Sequence, residues 1–327
     1  MRLPCVLLLL TCLLPSAPAA AGDVPLRAGE RLGRELAGER LLLWPAGQVP
    51  GETGTARPAR VVERSTDPAH PDRFVDQIDA PYLLVHAPAH PNGHALLVIP
   101  GGGYQRVVID KEDSALVPDW VDRAGYTLFV LRYRLPQPGR DPQAALADAQ
   151  RALRMVRGQA AGRGLDADSV SVMGFSAGGH VAARLATGFD VAAYPARDAI
   201  DHLSARPARA VLVYPVIDMG AHAHSGSRAR LIGSHADPAL AARYSMQQQV
   251  RADMPPTLLI HANDDRVVSV HNSEAMAQAL AHAGVEHELH LFAHGGHGFG
   301  MRMPADSTLA VWPLLAQRWL QAGTAPR

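Results

Sequence analysis

The chain has 327 residues, with 31 Lys plus Arg balancing 31 Asp plus Glu, and 47% of its residues are hydrophobic. That balance leaves no basic field to hold nucleic acid. The length can supply one large domain with an ordinary buried core.

The N-terminus, Met1-Arg2-Leu3-Pro4, leads into an apolar run from Cys5 to Leu14 and then into small residues from Ser16 to Gly22. A run of about ten apolar residues falls short of the roughly 20 that cross a membrane. This order predicts a secretory signal peptide over residues 1–21, cleaved after Ala21, rather than a membrane span. Leu9-Leu10-Thr11-Cys12 raises lipidation at Cys12 as an alternative, although the residue before such a cysteine is ordinarily smaller than threonine. The protein is therefore expected to be exported, periplasmic or secreted. Cys5 and Cys12 are the only cysteines, so the mature part should have neither a thiol nucleophile nor a disulfide.

Residues 22–72, rich in Gly, Pro, Arg and Ala, read as an N-terminal lead-in that packs loosely, and residues 73–327 as the catalytic domain. From Tyr82 onward short apolar runs alternate with amphipathic ones. Strands are predicted at Tyr82–Val85, Ala95–Ile99, Thr127–Leu131, Val170–Met173, Ala210–Val213, Thr257–Ile260 and Leu289–Phe292. Helices are predicted over Gln143–Gln159, Ala177–Thr187, Ser273–Ala283 and Ser307–Ala322. Buried strands alternating with helices make an α/β fold with a mainly parallel central sheet and helices on both faces. Pro215–Pro255 interrupts the alternation with a weakly helical Pro238–Gln249, and is expected to be either a cap or lid bordering the site or a plain surface connection.

Four motifs carry chemistry. Gly174-Phe175-Ser176-Ala177-Gly178-Gly179 lies between a predicted strand and a predicted helix, the setting in which a serine is exposed on a tight, strained turn. Ser176 is the candidate nucleophile, and the backbone N–H of Ala177 a candidate oxyanion donor. The triplet Gly101-Gly102-Gly103 after the strand Ala95–Ile99 can bring further N–H groups to the same oxygen, with Gly102 and Gly103 the candidate donors and the choice among the three glycines left open. In Leu258-Leu259-Ile260-His261-Ala262-Asn263-Asp264-Asp265-Arg266-Val267-Val268, two acids follow an apolar strand. Asp265, four after His261 and three before Val268, is the candidate to orient a histidine, with Asp264 as the alternative. His297, in Gly296-His297-Gly298, is the candidate general base, with His294 its competitor. The order glycine loop, serine, aspartate, histidine, each at the end of a strand, is that of the α/β-hydrolase fold. His222-Ala223-His224 offers only two metal ligands, so neither metal nor organic cofactor is expected.

The sequence resembles the secreted bacterial α/β-hydrolases of the acetyl-xylan-esterase and feruloyl-esterase-like (esterase/lipase) group, from about Arg73 to the C-terminus. The resemblance is carried by Pro100-Gly101-Gly102-Gly103-Tyr104, Leu131-Arg132-Tyr133-Arg134-Leu135-Pro136, Gly174-Phe175-Ser176-Ala177-Gly178-Gly179-His180, Asp265-Arg266-Val267-Val268 and Gly296-His297-Gly298-Phe299. Pro100 stands where many lipases and esterases have histidine, and Ser269 where the group usually has proline. The resemblance implies hydrolysis of short esters, acetyl groups on small-molecule or oligosaccharide substrates, with no cofactor. The competing readings are a serine peptidase of the prolyl-oligopeptidase type, a long-chain lipase and a carbohydrate-binding relative that lost the chemistry.

Overall fold

The computed structural model describes residues 26–45, 48–52 and 55–322. The predicted signal peptide, residues 1–21, and both cysteines lie outside the described residues. Among the described residues no helix is long and apolar enough to cross a membrane.

Eight strands form the central sheet: β1 (Glu39–Leu42), β2 (Tyr82–His86), β3 (Ala95–Ile99), β4 (Thr127–Arg132), β5 (Ser171–Phe175), β6 (Ala210–Val213), β7 (Thr257–Ala262) and β8 (His287–Phe292). Their order across the sheet is β8-β7-β6-β5-β3-β4-β2-β1. The two pairings that involve β2 are antiparallel. The other five are parallel. Six helices accompany the sheet: α1 (Ala144–Gln159), α2 (Ser176–Thr187), α3 (Ser225–Leu231), α4 (Pro238–Arg243), α5 (His271–His282) and α6 (Trp312–Ala322).

The strands read as unbroken apolar runs because both of their faces are buried. Along β3, Leu97 and Ile99 join one core with α1, α2 and α5, while Leu96 and Val98 point to the opposite side. There Trp120, on a π-helical segment Val117–Arg123, and Trp312 and Trp319 of α6 complete a second core. At roughly 25 cal/mol per Å² of apolar surface, two such layers supply the main stabilisation of the fold.

The boundary expected at residue 73 is corrected by the structure. The segment before it is integral to the fold: β1 edges the central sheet, and Arg31–Leu32 and Arg60–Glu63 pair into a four-stranded sheet with Arg73–Asp76 and Val107–Val108. Leu43 and Trp44 are buried, and the Trp44 indole donates to Asp148 Oδ1 of α1 at 2.9 Å. Glu35 from the same segment accepts from the fully buried Arg132 at 2.7 Å, and Arg132 also pairs with Asp113, which accepts from His86 at 2.9 Å. Burial alone would raise the Asp113 carboxyl, but Arg132 and His86 outweigh it and hold it below its ordinary value. This buried cluster explains why a segment with so little apolar sequence is fastened to the domain.

Candidate active site

Ser176 stands at the junction of β5 and α2 with φ 51°, a left-handed conformation that costs a non-glycine residue energy. The turn is possible because α2 presses against the end of β3: a Cβ on Gly178 would lie 2.1 Å from the Ile99 carbonyl oxygen and 2.4 Å from that of Pro100. The same closeness brings the glycine loop to the serine, since a Cβ on Gly101 would lie 2.9 Å from Ser176 Cβ. Val216 N–H donates to the Ser176 carbonyl at 3.0 Å and fixes the turn from the other side.

The loops after β7 and β8 supply the partners. Ser176 Oγ is 2.9 Å from His297 Nε2, and His297 Nδ1 is 2.7 Å from Asp265 Oδ2. Asp265 Oδ1 accepts from the N–H groups of Val267 and Val268 at 2.8 and 2.9 Å. His261, fully buried on β7, approaches Asp265 Oδ2 at 3.2 Å through Nε2 and Ser273 Oγ at 2.7 Å through Nδ1. Burial pushes the Asp265 carboxyl up, but hydrogen bonds from His261 and His297, the charge of His297 and the Val268 N–H together hold it well below the usual carboxylate range. An ionised Asp265 assigns the proton of His297 to Nδ1 and leaves Nε2 to accept from Ser176.

The two competitors lie elsewhere. Asp264 accepts from Gly296 N–H at 2.8 Å and has His294 at 3.6 Å, so this exposed pair braces the histidine loop from outside.

The glycine loop is held from below by a residue not singled out in the sequence. Glu112 is buried, with Oε2 accepting from Gly101 N–H at 2.6 Å and Oε1 from the Tyr214 hydroxyl at 3.0 Å. The Tyr214 hydroxyl in turn accepts from Gly300 N–H at 3.0 Å, and its ring packs edge-on to His297 with centroids 5.1 Å apart. One carboxylate thus ties the glycine loop to the histidine loop. Gly101 N–H is engaged by this contact, whereas Gly102 and Gly103 N–H have no acceptor among the described residues. Ala177 lies in the first turn of α2, where N–H groups have no intrahelical partner.

Pro215–Pro255 contains α3, α4 and their connections. Asp218 organises its start, accepting from Gly220 and His222 N–H, Ser245 Oγ and Gln247 Nε2 at 2.8 to 3.0 Å. His224 borders the glycine loop, its Cε1 3.7 Å from where a Gly103 Cβ would stand. Burial, then the nearby His297 and Arg230, lower its pKa. Behind the loop, His180 Nδ1 accepts from the Tyr104 hydroxyl at 2.7 Å and Nε2 donates to the Tyr244 carbonyl at 2.8 Å. Among the described residues no group of His, Cys, Asp and Glu could hold a metal ion.

The BD-FAE family model matches residues 87–280, which include the glycine loop, Ser176 and Asp265. The chain belongs to the BD-FAE family. This BD-FAE chain is 34% identical over 223 residues to an acetylxylan esterase of Xylanibacter ruminicola, covering 67% of this chain and 43% of the relative. It is 33% identical over 219 residues to endo-1,4-beta-xylanase B of Butyrivibrio fibrisolvens, covering 66% of this chain and 34% of that protein. The chain therefore spans less than half the length of these two curated relatives. Among solved structures, the acetyl ester-xyloside bifunctional hydrolase of Caldicellulosiruptor lactoaceticus superposes with a TM-score of 0.70 at 32% identity, over 89% of this chain and 98% of the other. With this neighbour and the strand order, the fold is that of an α/β-hydrolase.

Proposed function

We propose that this protein is an exported serine carboxylic-ester hydrolase that removes short acyl groups, acetyl above all, from carbohydrate. The observation that carries the reading is the continuous chain from Ser176 Oγ through His297 to Asp265, 2.9 and 2.7 Å long, beside the N–H groups of Gly102 and Gly103, which have no acceptor among the described residues. The names of the relatives, an acetylxylan esterase and an acetyl ester-xyloside hydrolase, support the choice of substrate.

In this reading His297 Nε2 takes the Ser176 proton as Oγ attacks the ester carbonyl. The N–H groups of Gly102, Gly103 and Ala177 stabilise the oxyanion, each contributing about 3 kcal/mol to the transition state. Nε2 then returns the proton to the departing sugar alcohol. Water, deprotonated by the same imidazole, releases the acid from the acyl-enzyme. Asp265, kept ionised, holds Nδ1–H and the charge that forms on the ring.

Hydrolysis of 4-nitrophenyl acetate, butyrate and octanoate and release of acetate from acetylated xylan, by wild type and Ser176→Ala, test the proposal. Preference for acetate, with turnover falling on the order of 10⁶-fold in the variant, is the expected outcome. A wild type inert on every ester, or a variant as active as wild type, would overturn it.

A further inference from the structure

Beside the glycine loop, at the carboxyl edge of the parallel strands, lies an open cleft of about 280 Å³. Its walls include the residues just before β2 and just after β4, together with Gln105 and Arg106, which follow the glycine loop. Arg106 N–H donates to the Gly102 carbonyl at 3.3 Å, so the arginine is anchored to the loop itself. It follows Gly103 by three positions, a backbone reach of at most about 11 Å.

Five arginines line this cleft, Arg27, Arg57, Arg60, Arg106 and Arg140, against Glu30 and Asp76. Three are neutralised: Arg57 by Asp79 at 2.7 Å, Arg60 by Asp76 at 2.6 Å, and Arg140 by Glu52 at 2.6 Å and Asp79 at 2.9 Å. Of the other two, Arg27 is exposed, and Arg106 is half-buried with no carboxylate partner among the described residues. Its guanidinium lies over the Phe74 ring, 4.9 Å from the centroid, and that ring also carries Arg64 at 5.5 Å. Burial and the neighbouring cations Arg64 and Arg27 disfavour its charge, with Glu30 and Asp72 only partly compensating. A half-buried cation with no carboxylate in direct contact is an unsatisfied binding group, and a guanidinium fork matches a carboxylate.

The rest of the cleft is suited to hydroxyl groups. Gln77 is held at φ 55°, an uncommon backbone state for a non-glycine residue, and its side-chain amide has no partner among the described residues, while Gln105 and Gln137, whose Oε1 atoms accept from Arg230 and Arg57, line the same walls with their NH2 groups. A half-buried cation flanked by amides fits a sugar acid better than a bare inorganic anion. We propose that this cleft is a subsite for a uronic acid unit borne on the same carbohydrate chain as the ester, with Arg106 binding its carboxylate. The proposal rests on the carbohydrate-esterase reading and extends it to acidic polysaccharide.

Calorimetric titration tests it without hydrolysis. The chain carrying Ser176→Ala is titrated with a xylo-oligosaccharide bearing glucuronic acid, with the unsubstituted oligosaccharide of equal length, and with inorganic phosphate. The acidic oligosaccharide is expected to bind roughly tenfold tighter than the neutral one, the scale of one charge-assisted hydrogen bond. Adding Arg106→Gln should abolish the preference, and Arg106→Lys, which keeps the charge without the fork, should restore part of it. Equal affinity for the two oligosaccharides, no binding of either, a preference that survives Arg106→Gln, or phosphate binding as tightly as the acidic sugar would each overturn the assignment. Because the readout is binding, absence of ester turnover in the wild type would refute the proposed function separately.

Discussion

Acidification should weaken this protein through His180 before it titrates the carboxylates around the site. The imidazole is fully buried in α2, accepts from Tyr104 on one nitrogen and donates to the Tyr244 carbonyl with the other. Burial, reinforced by the charge of Arg184 and only partly opposed by the Tyr244 carbonyl, lowers its pKa from 6.5 to about 3. The unfolded chain takes up this proton near pH 6.5 and the folded one does not. The resulting stability is present above about pH 6.5 and lost as pH falls toward about 3, at roughly 1.4 kcal/mol per pH unit. Between pH 7 and about pH 5 the loss is about 2 kcal/mol, a large share of the 5–15 kcal/mol typical of a folded domain. Glutamine can accept from Tyr104 and donate to Tyr244 without titrating, so His180→Gln removes this component and leaves the other ionisable groups in place. Urea unfolding of both proteins at the two pH values measures the difference, with the slope m as the check on a common transition. A wild type and a variant whose stabilities fall in parallel between pH 7 and 5 would refute the reasoning.

Two further substitutions probe the site. Asp265→Asn should lower kcat about 10⁴-fold with little change in KM, because Nδ1 then lacks its anion and Nε2 is no longer reliably the accepting nitrogen; steady-state kinetics on 4-nitrophenyl acetate read this directly. Gly178→Ala places a methyl 2.1 Å from the Ile99 carbonyl oxygen, within backbone that cannot yield cheaply, and should cost about 3 kcal/mol or more, measured as a lowered urea midpoint.

What the sequence made legible divides along physical lines. The strand predicted at Ala95–Ile99 coincides with β3, and Thr127–Leu131 falls one residue short of β4, because strands buried on both faces leave unbroken apolar runs. The predicted Gln143–Gln159 and Ala177–Thr187 each miss α1 and α2 by one residue at the start. Ser176, Asp265 and His297 were legible because each sits in a glycine-marked or acid-marked loop directly after such a strand. The edge strand β1 was not, since Glu39, Arg40 and Leu42 are exposed and its pairing with β2 depends on backbone hydrogen bonds that composition does not record. Glu112 escaped notice for a related reason. In Asp110-Lys111-Glu112-Asp113 it reads as one of a solvated charged run, yet Glu112 and Asp113 are both buried. Only the tertiary approach of Gly101, Tyr214 and Arg132 reveals their partners.

The strain at Ser176 and the burial of Glu112 are two parts of one arrangement. A serine at φ 51° and a tyrosine at φ 38° in Tyr214 each sit in a backbone state that costs on the order of 1–3 kcal/mol and relaxes unless its surroundings over-determine it. Gly178 against β3 and Val216 N–H on the Ser176 carbonyl hold the first. Glu112 and Gly300 N–H, both on the Tyr214 hydroxyl, hold the second. The Glu112 carboxylate also holds Gly101 N–H, so the loop that presents Gly102 and Gly103 and the ring that packs against His297 meet on one buried side chain, and the turn at Gly300 joins them through the Tyr214 hydroxyl. Mobile loops could not keep a serine, an imidazole and two N–H groups in fixed register. A buried anion with donors on both oxygens can, because any separation of the loops would strand its charge in the core without partners.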